Sequence, residues 1–380
     1  MNNPGGAFEA DQRPFGGAPG GPEASLNALI QQTKRLTLAP NVQKDEPVTR
    51  DEGIRTSAFS GGPPAGESAL GRRGAPARGP PSRGPPGAPG VRRKRLFASH
   101  ASLSRAGSCG PGTRKTNQDA CRVVEGWGPQ EDALWVSVLD GHGPSGHLVS
   151  GFVNRRLPRL VGESWGPQGG LQKALFAGYL AANEELKKGN IDIFCSGTTC
   201  VACVLQERTL YVANVGDSRA ILGRGPSPEG PWTAVPLTTD HKPELETERK
   251  RILAAGGRIA PLQEEDGSPC GPLRVWLPTD DVPGLAMSRS LGDSLAANVG
   301  VVAQPEVGTF SLREGDRCLL LASDGVWEFL SNEEALKTVK PFVLKGDPAG
   351  GCTALVNKAR KKWEEEDGAI DDITALLVVF

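Results

Sequence analysis

Aspartates recur in this chain at one kind of place, the end of an apolar run beside glycine. Leu134 to Leu139 leads into Asp140-Gly141-His142-Gly143. Leu210 to Val215 leads into Gly216-Asp217-Ser218-Arg219, Leu319 to Ala322 leads into Ser323-Asp324-Gly325, and Asp371-Asp372 directly precedes the last apolar run. Any one of these reads as a turn Asp beside Gly. Turn chemistry does not require all four to adjoin the most apolar strands, so they read together as carboxylates gathered at one end of a sheet layer. Clustered carboxylates repel unless a cation neutralises them. All-oxygen ligands suit Mg²⁺ or Mn²⁺, hard ions that keep several waters. Two such ions ~3.5–4 Å apart can hold a bridging hydroxide and stabilise an in-line displacement at phosphorus. Phosphate monoesters hydrolyse extremely slowly without help, so a nucleophile made this way answers a chemical need. A leaving Ser or Thr alkoxide also needs a proton, which an acid such as His142 could supply. A planar Arg suits a bidentate grip on the phosphoryl oxygens.

Such a cluster needs elements to assemble it. Strands are expected at Ala133–Leu139, 198–205, Thr209–Val215, Arg219–Arg224, 317–322 and 373–380. Three of them follow one another on short connections, as in an antiparallel meander. Helices are expected at 145–160, Leu171–Lys188, 244–255, 332–344 and 353–366, with Pro341 expected to shorten the fourth. In the second, Leu171, Leu175, Tyr179, Ala182 and Leu186 fall on one face at helical spacing. Antiparallel strands with helices in consecutive pairs indicate a layered α+β domain and not a doubly wound sheet.

Other chemistries are weighed by pattern. Gly141-His142-Gly143-Pro144-Ser145-Gly146 matches the dinucleotide-binding G-x-G-x-x-G, with Glu163 further on. Asp140 would oppose a pyrophosphate there, and the following helix leads to another helix instead of a βαβ strand. No C-x5-R loop, GDxHG, GNHE or GxxxxGK[ST] motif occurs. Cys200 and Cys203 form a lone C-x-x-C within a strand, where positions i and i+3 face opposite sides, so they read as buried packing residues.

The 380 residues carry 43 Lys+Arg against 44 Asp+Glu, which excludes a dedicated nucleic-acid binder on net charge. The total hides two parts. Residues 1–95 hold 14 basic and 8 acidic side chains with 16 Gly and 14 Pro, and read as a mostly disordered arm. Residues 96–380 hold the remaining 29 basic and 36 acidic side chains, every Trp, Tyr and Cys, and enough apolar residues for one large domain. The run Val91-Arg92-Arg93-Lys94-Arg95 reads as a solvated linker, with a nuclear address or an acidic partner as the functional alternative. No membrane span, signal peptide or lipidation motif is recognisable. The cysteines are therefore expected as thiols in a reducing, cytoplasmic or nuclear compartment.

An ordered series of motifs resembles the metal-dependent protein serine/threonine phosphatases of the protein phosphatase 2C family. From about Phe97 to the C-terminus it comprises RKTNQDA (114–120), VLDGHGPSG (138–146), SGTT (196–199), VANVGDSRA (212–220), TTDHKP (238–243), AAGGRI (254–259), LAMSRSLGD (285–293), LASDGVWE (321–328) and DDIT (371–374). The resemblance implies a four-layer α-β-β-α sandwich, two stacked antiparallel sheets flanked by helix pairs. It implies hydrolysis of phosphoserine and phosphothreonine in proteins by a hydroxide bridging two Mg²⁺ or Mn²⁺ ions, with a weaker third ion. Asp140 would bridge the two metals and Gly141 would add its carbonyl. Asp324 and Asp371 would complete the first metal's shell, with Asp119 linked through water and Asp217 on the third ion. Arg114 would bind phosphate and His142 would be the general acid. Arg289 and Asp293 would be mainly structural, and the stretch 261–283, read as a surface loop, would be a flap that influences substrate choice. Three positions depart from the family pattern: Gln118 for a metal-contacting Glu, Glu328 for Asp, and Asp372 for Asn. The first removes a charge near the second metal and the last adds one near the cleft. Phosphorylated proteins are the expected partners, with no nucleic acid or membrane segment needed and a monomer expected. The alternative function is a catalytically inactive regulatory binding module, disfavoured because the principal carboxylates remain.

Overall fold

The computed structural model describes residues 97–110, 113, 115–166, 170–264, 266–366 and 369–380, together with the backbone of 55–57. In chain order the elements begin with strands β1 (Arg55–Ser57), β2 (Ser99–Arg105), β3 (Ala120–Trp127), β4 (Ala133–Leu139) and β5 (Gly141–His142). Helices α1 (Gly146–Ser164) and α2 (Leu171–Lys188) come next. Then follow β6 (Gly197–Thr198), β7 (Cys200–Gln206), β8 (Thr209–Val215), β9 (Arg219–Arg224), β10 (Thr233–Pro236) and α3 (Glu246–Ala254). Strands β11 (Arg258–Gln263), β12 (Pro269–Trp276) and β13 (Pro283–Leu285) precede β14 (Leu291–Gly292) and the short α4 (Ser294–Ala297). The chain ends with β15 (Glu306–Ser311), β16 (Asp316–Ala322), α5 (Asp324–Trp327), α6 (Asn332–Val343), α7 (Pro348–Glu366) and β17 (Ile373–Val379).

Two antiparallel sheets dominate. One has the order β15-β8-β7-β4-β3 and the other β1-β2-β17-β16-β9-β10. Three cores separate four layers. Helices α1 and α2 pack on the five-stranded sheet through Val153, Leu157, Leu175 and Tyr179 against Trp135, Leu139, Cys200 and Val215. The sheets meet through Leu134, Val136, Val201, Cys203, Leu319, Leu321, Leu376 and Val378. Helices α6 and α7 cover the six-stranded sheet through Leu336, Val339, Leu355 and Val356 against Ile221, Leu320 and Leu377. This is the α-β-β-α sandwich.

The layering explains the apolar runs. Side chains alternate across a strand, so Leu320 faces the helices while Leu319 and Leu321 face the other sheet. A strand buried on both faces has no polar face to show, and β4, β16 and β17 read as continuous apolar stretches. Cys200 and Cys203 follow the same rule, one in the helix-side core and one between the sheets. Burial pushes the Cys200 thiol up to about 12. No disulfide joins any of the eight cysteines.

Several boundaries differ from expectation. Helix α1 continues to Ser164 with Pro158 inside it, and α6 keeps Pro341 within its last turn, so this proline does not shorten the helix appreciably. A capping box between Ser331 and Glu334 starts α6. The stretch 261–283 is not a surface loop: β11 and β12 pair as a hairpin and β13 adds a third strand. Its exposed, Gly-, Pro- and acid-rich tip masks the pairing, while Val275 and Trp276 are buried at its base. Arg55–Ser57, inside the arm, pairs with β2. The basic run 91–95 lies outside the described residues. Among the described residues no helix is long and apolar enough to cross a membrane.

Candidate functional site

Antiparallel register brings the predicted carboxylates to one end of both sheets. In the six-stranded sheet Ala322, at the end of β16, pairs with Ala375 near the start of β17 and with Arg219 at the start of β9. The segments just beyond these pairs carry Asp324, Asp371 and Asp217. In the five-stranded sheet Leu139, at the end of β4, pairs with Ala120 at the start of β3, next to Asp140 and Asp119. Cys200 pairs with Val215, so the start of β7 and the end of β8 share that same end.

Short side chains stitch the two sheets together there. Asp140 N–H donates to Thr199 Oγ1 at 3.0 Å, and Thr199 Oγ1 lies 2.7 Å from Ser218 Oγ. Ser323 Oγ donates to Asp119 Oδ2 at 2.8 Å and accepts Thr374 N–H at 3.0 Å. The carboxyls of Asp140 and Asp324 lie within hydrogen-bonding reach of each other.

The electrostatics are those of crowded acids. Burial, then Asp324, Asp119 and Asp371, hold the Asp140 carboxyl well above its ordinary range. Burial and then Asp372 do the same to Asp119. Asp324 is pushed up to about 7 by burial, then by Asp217 and Asp371. Asp119 Oδ1, Asp217 Oδ1 and Asp324 Oδ1 are buried without a hydrogen-bond partner. Unsatisfied, mutually repelling carboxylate oxygens fit hard divalent cations. Among the described residues no three acidic, His or Cys side chains converge tightly enough to enclose an ion by themselves. An all-oxygen site for Mg²⁺ or Mn²⁺ retains water ligands and does not need such closure.

Two lysines stand among these acids. Lys115 Nζ donates to Asp371 Oδ1 and lies 3.6 Å from Asp372 Oδ1. Lys242 Nζ donates to Asp217 Oδ2. Burial opposes the charge of each ammonium, yet the facing carboxylates win and both are held above the ordinary lysine value.

His142 Nε2 lies 2.6 Å from Asp293 Oδ2, while its Nδ1 is buried without a partner. Burial works against the imidazolium, but Asp293, Asp217 and Asp324 outweigh it and raise the pKa. Gly197 permits this contact, because a Cβ there would sit 2.0 Å from Asp293 Oδ2 and 2.7 Å from His142 Nε2. Gly143 turns the chain into α1 with φ +81°, and a Cβ there would meet Cys195 O at 2.0 Å. In the dinucleotide-like string, then, Gly143 serves close backbone packing.

The departures from the family pattern acquire physical roles. Gln118 Nε2 donates to Gly143 O at 2.7 Å, which commits the amide to the turn before α1. Asp372 accepts Gly107 N–H at 2.7 Å and Gln118 N–H at 2.8 Å, so its extra charge pins the segment before β3. Glu328 is exposed one turn beyond Asp324, and its N–H donates to Asp324 O at 2.8 Å. Arg114 lies outside the described residues. Sequence reasoning missed Lys115, Lys242 and Ser323, and it assigned Asp293 only a structural part. All four sit inside the quoted motifs, but contacts such as Asp293 to His142 span 151 positions and carry no local signal.

The chain as a whole is similar to known proteins. The family model described as Protein phosphatase 2C matches residues 104–368. "Probable protein phosphatase 2C 64" of Oryza sativa subsp. japonica is 40% identical over 270 residues, covering 69% of this chain and 62% of that protein. "Probable protein phosphatase 2C 34" of Arabidopsis thaliana is 38% identical over 288 residues, covering 71% of this chain and 78% of that protein. Among solved structures, the serine-threonine phosphatase 2C of Toxoplasma gondii superposes with a TM-score of 0.62 at 22% identity, over 76% of this chain and 96% of that one. That likeness speaks to the fold, and the sequence matches speak to descent: the chain belongs to the protein phosphatase 2C family.

Proposed function

We propose that this chain hydrolyses phosphoserine and phosphothreonine in proteins with Mg²⁺ or Mn²⁺ bound at the carboxylate cluster. The carrying observation is the set of buried carboxylate oxygens left unsatisfied beside His142. Asp140, Asp324 and Asp371, with the Gly141 carbonyl, would hold two ions. Asp119 would act through water, and Asp217 would serve a weaker third. Bound metal supplies positive charge and an activated water as nucleophile at neutral pH. His142, held through Nε2 by Asp293, would supply the proton that the departing Ser or Thr oxygen needs. Arg114 would grip the phosphoryl oxygens through its planar fork.

The test is release of phosphate from a phosphothreonine peptide with Mn²⁺, with and without chelator. Wild-type protein should turn over only with metal, and Asp324→Ala should lower the rate by about 100-fold or more. Hydrolysis that survives chelation, or an unimpaired Asp324→Ala protein, sinks the mechanism. A wild-type protein that hydrolyses no phosphopeptide would favour a regulatory binding module.

A further inference from the structure

We infer that Lys115 sets the affinity of the carboxylate cluster for divalent cations by competing for the charge of Asp371. The inference rests on the metal-binding reading above. Lys115 lies on the connection between β2 and β3, and its side chain is only 23% exposed. Its Nζ donates to Asp371 Oδ1, the oxygen that also accepts Asp372 N–H at 2.7 Å. Asp372 is the other carboxylate in reach, at 3.6 Å, but both of its oxygens accept backbone amides. Two such donors already stabilise a carboxylate charge. The ammonium is therefore directed chiefly at Asp371.

A cation bound by Asp140, Asp324 and Asp371 draws on the same negative charge. Lys115 stabilises the metal-free cluster and repels an incoming divalent ion, and in a partly buried site this repulsion is weakly screened. Lys242 hydrogen-bonds Asp217 on the β8–β9 connection and also faces Asp324, so its charge falls on members of the cluster other than Asp371. Lys115 thus holds apart two properties that an all-carboxylate site would couple, folding without metal and tight retention of metal.

Calorimetric titration of the metal-free 380-residue chain with Mn²⁺ reads this directly, without any turnover. Lys115→Met should lower Kd by tenfold or more, equivalent to about 1.4 kcal/mol. Lys115→Arg keeps the charge and should stay within about threefold of wild type. Lys115→Gln keeps a polar contact without the charge and should follow Lys115→Met, which guards against a methionine variant that folds poorly. Without metal both neutral variants should melt below wild type, and saturating Mn²⁺ should close that gap. Mn²⁺ binding by wild type with an unchanged Kd in both neutral variants overturns the inference alone, as does tightening in Lys115→Arg equal to that in Lys115→Met. No binding by wild type or variants overturns the metal-binding reading together with the inference.

Discussion

At the level of single residues, the contact between His142 and Asp293 departs furthest from expectation. Asp293 adopts φ 43°, ψ 54°, a left-handed conformation in which Asp and Asn are the most tolerated side chains after Gly. From there it accepts Ser290 Oγ and faces His142 Nε2 through the same oxygen. This orients the imidazole with Nδ1 turned away from Asp293. Asp293→Asn preserves the backbone conformation and removes the charge, so it is a cleaner probe than Asp293→Ala. Loss of such an orienting partner should lower kcat by about 10–100-fold. Steady-state kinetics should show KM nearly unchanged; an unaltered kcat would return Asp293 to a purely structural part. The string LAMSRSLGD is one of the ordered motifs that resemble the family, but it does not reveal which of its residues touches which partner.

Among the elements, Glu248 joins helix α3 to the segment leading into β14. Its carboxylate accepts Arg251 at 2.7 Å, Ser288 Oγ at 2.8 Å, and Arg289 at 2.7 and 3.0 Å. Burial pushes its pKa up, but the bonds from Arg289, Arg251 and Ser288 outweigh it and hold the carboxyl far below the ordinary range. Replacing Glu248 leaves the Arg251 and Arg289 guanidinium groups short of a partner, at a cost of about 3–5 kcal/mol. A carboxyl depressed in the native state stabilises above its unfolded pKa of about 4.3, and the gain fades as pH falls toward the native value. Urea unfolding should therefore show the full gap between wild type and Glu248→Gln at pH 7, narrowing below about pH 4. A gap independent of pH would assign the effect to shape and not to charge. Elements buried on both faces or strongly periodic, such as β4, β8 and α2, were legible in the chain to the residue. Half-exposed strands β3, β10 and β15 were not, because their residues mix with solvent-facing positions and imitate loops. The β11–β12 hairpin was hidden for the same reason.

Over the whole molecule, the carboxylates come from two sheets. Asp140 and Asp119 extend the five-stranded sheet, Asp324 and Asp371 extend the six-stranded one, and Asp217 lies on the connection between them. A cation held by this set would tie the sheets together at one end, where repelling acids otherwise oppose closure. At a Mn²⁺ concentration 100 times Kd, linkage contributes about 2.7 kcal/mol to stability, or several degrees in Tm for a domain of this size. Thermal unfolding in Mn²⁺ against chelator should show that rise, reduced in Asp324→Ala. An equal Tm in both conditions would contradict binding to the native state.

The identities of the acids, their places at the ends of apolar runs, and the order of the motifs were set in the linear chain. From these follow the layered fold and the all-oxygen character of the site, because periodicity and ligand chemistry are local properties. The chain could not say which acid is satisfied by backbone amides, as Asp372 is, and which is left with a bare oxygen, as Asp324 is. It could not say that Lys115 would stand on Asp371, 256 positions away. Those distinctions depend on sheet register and on the packing of connections across two sheets. Charge compensation is a property of distance in space, and only the folded chain fixes those distances.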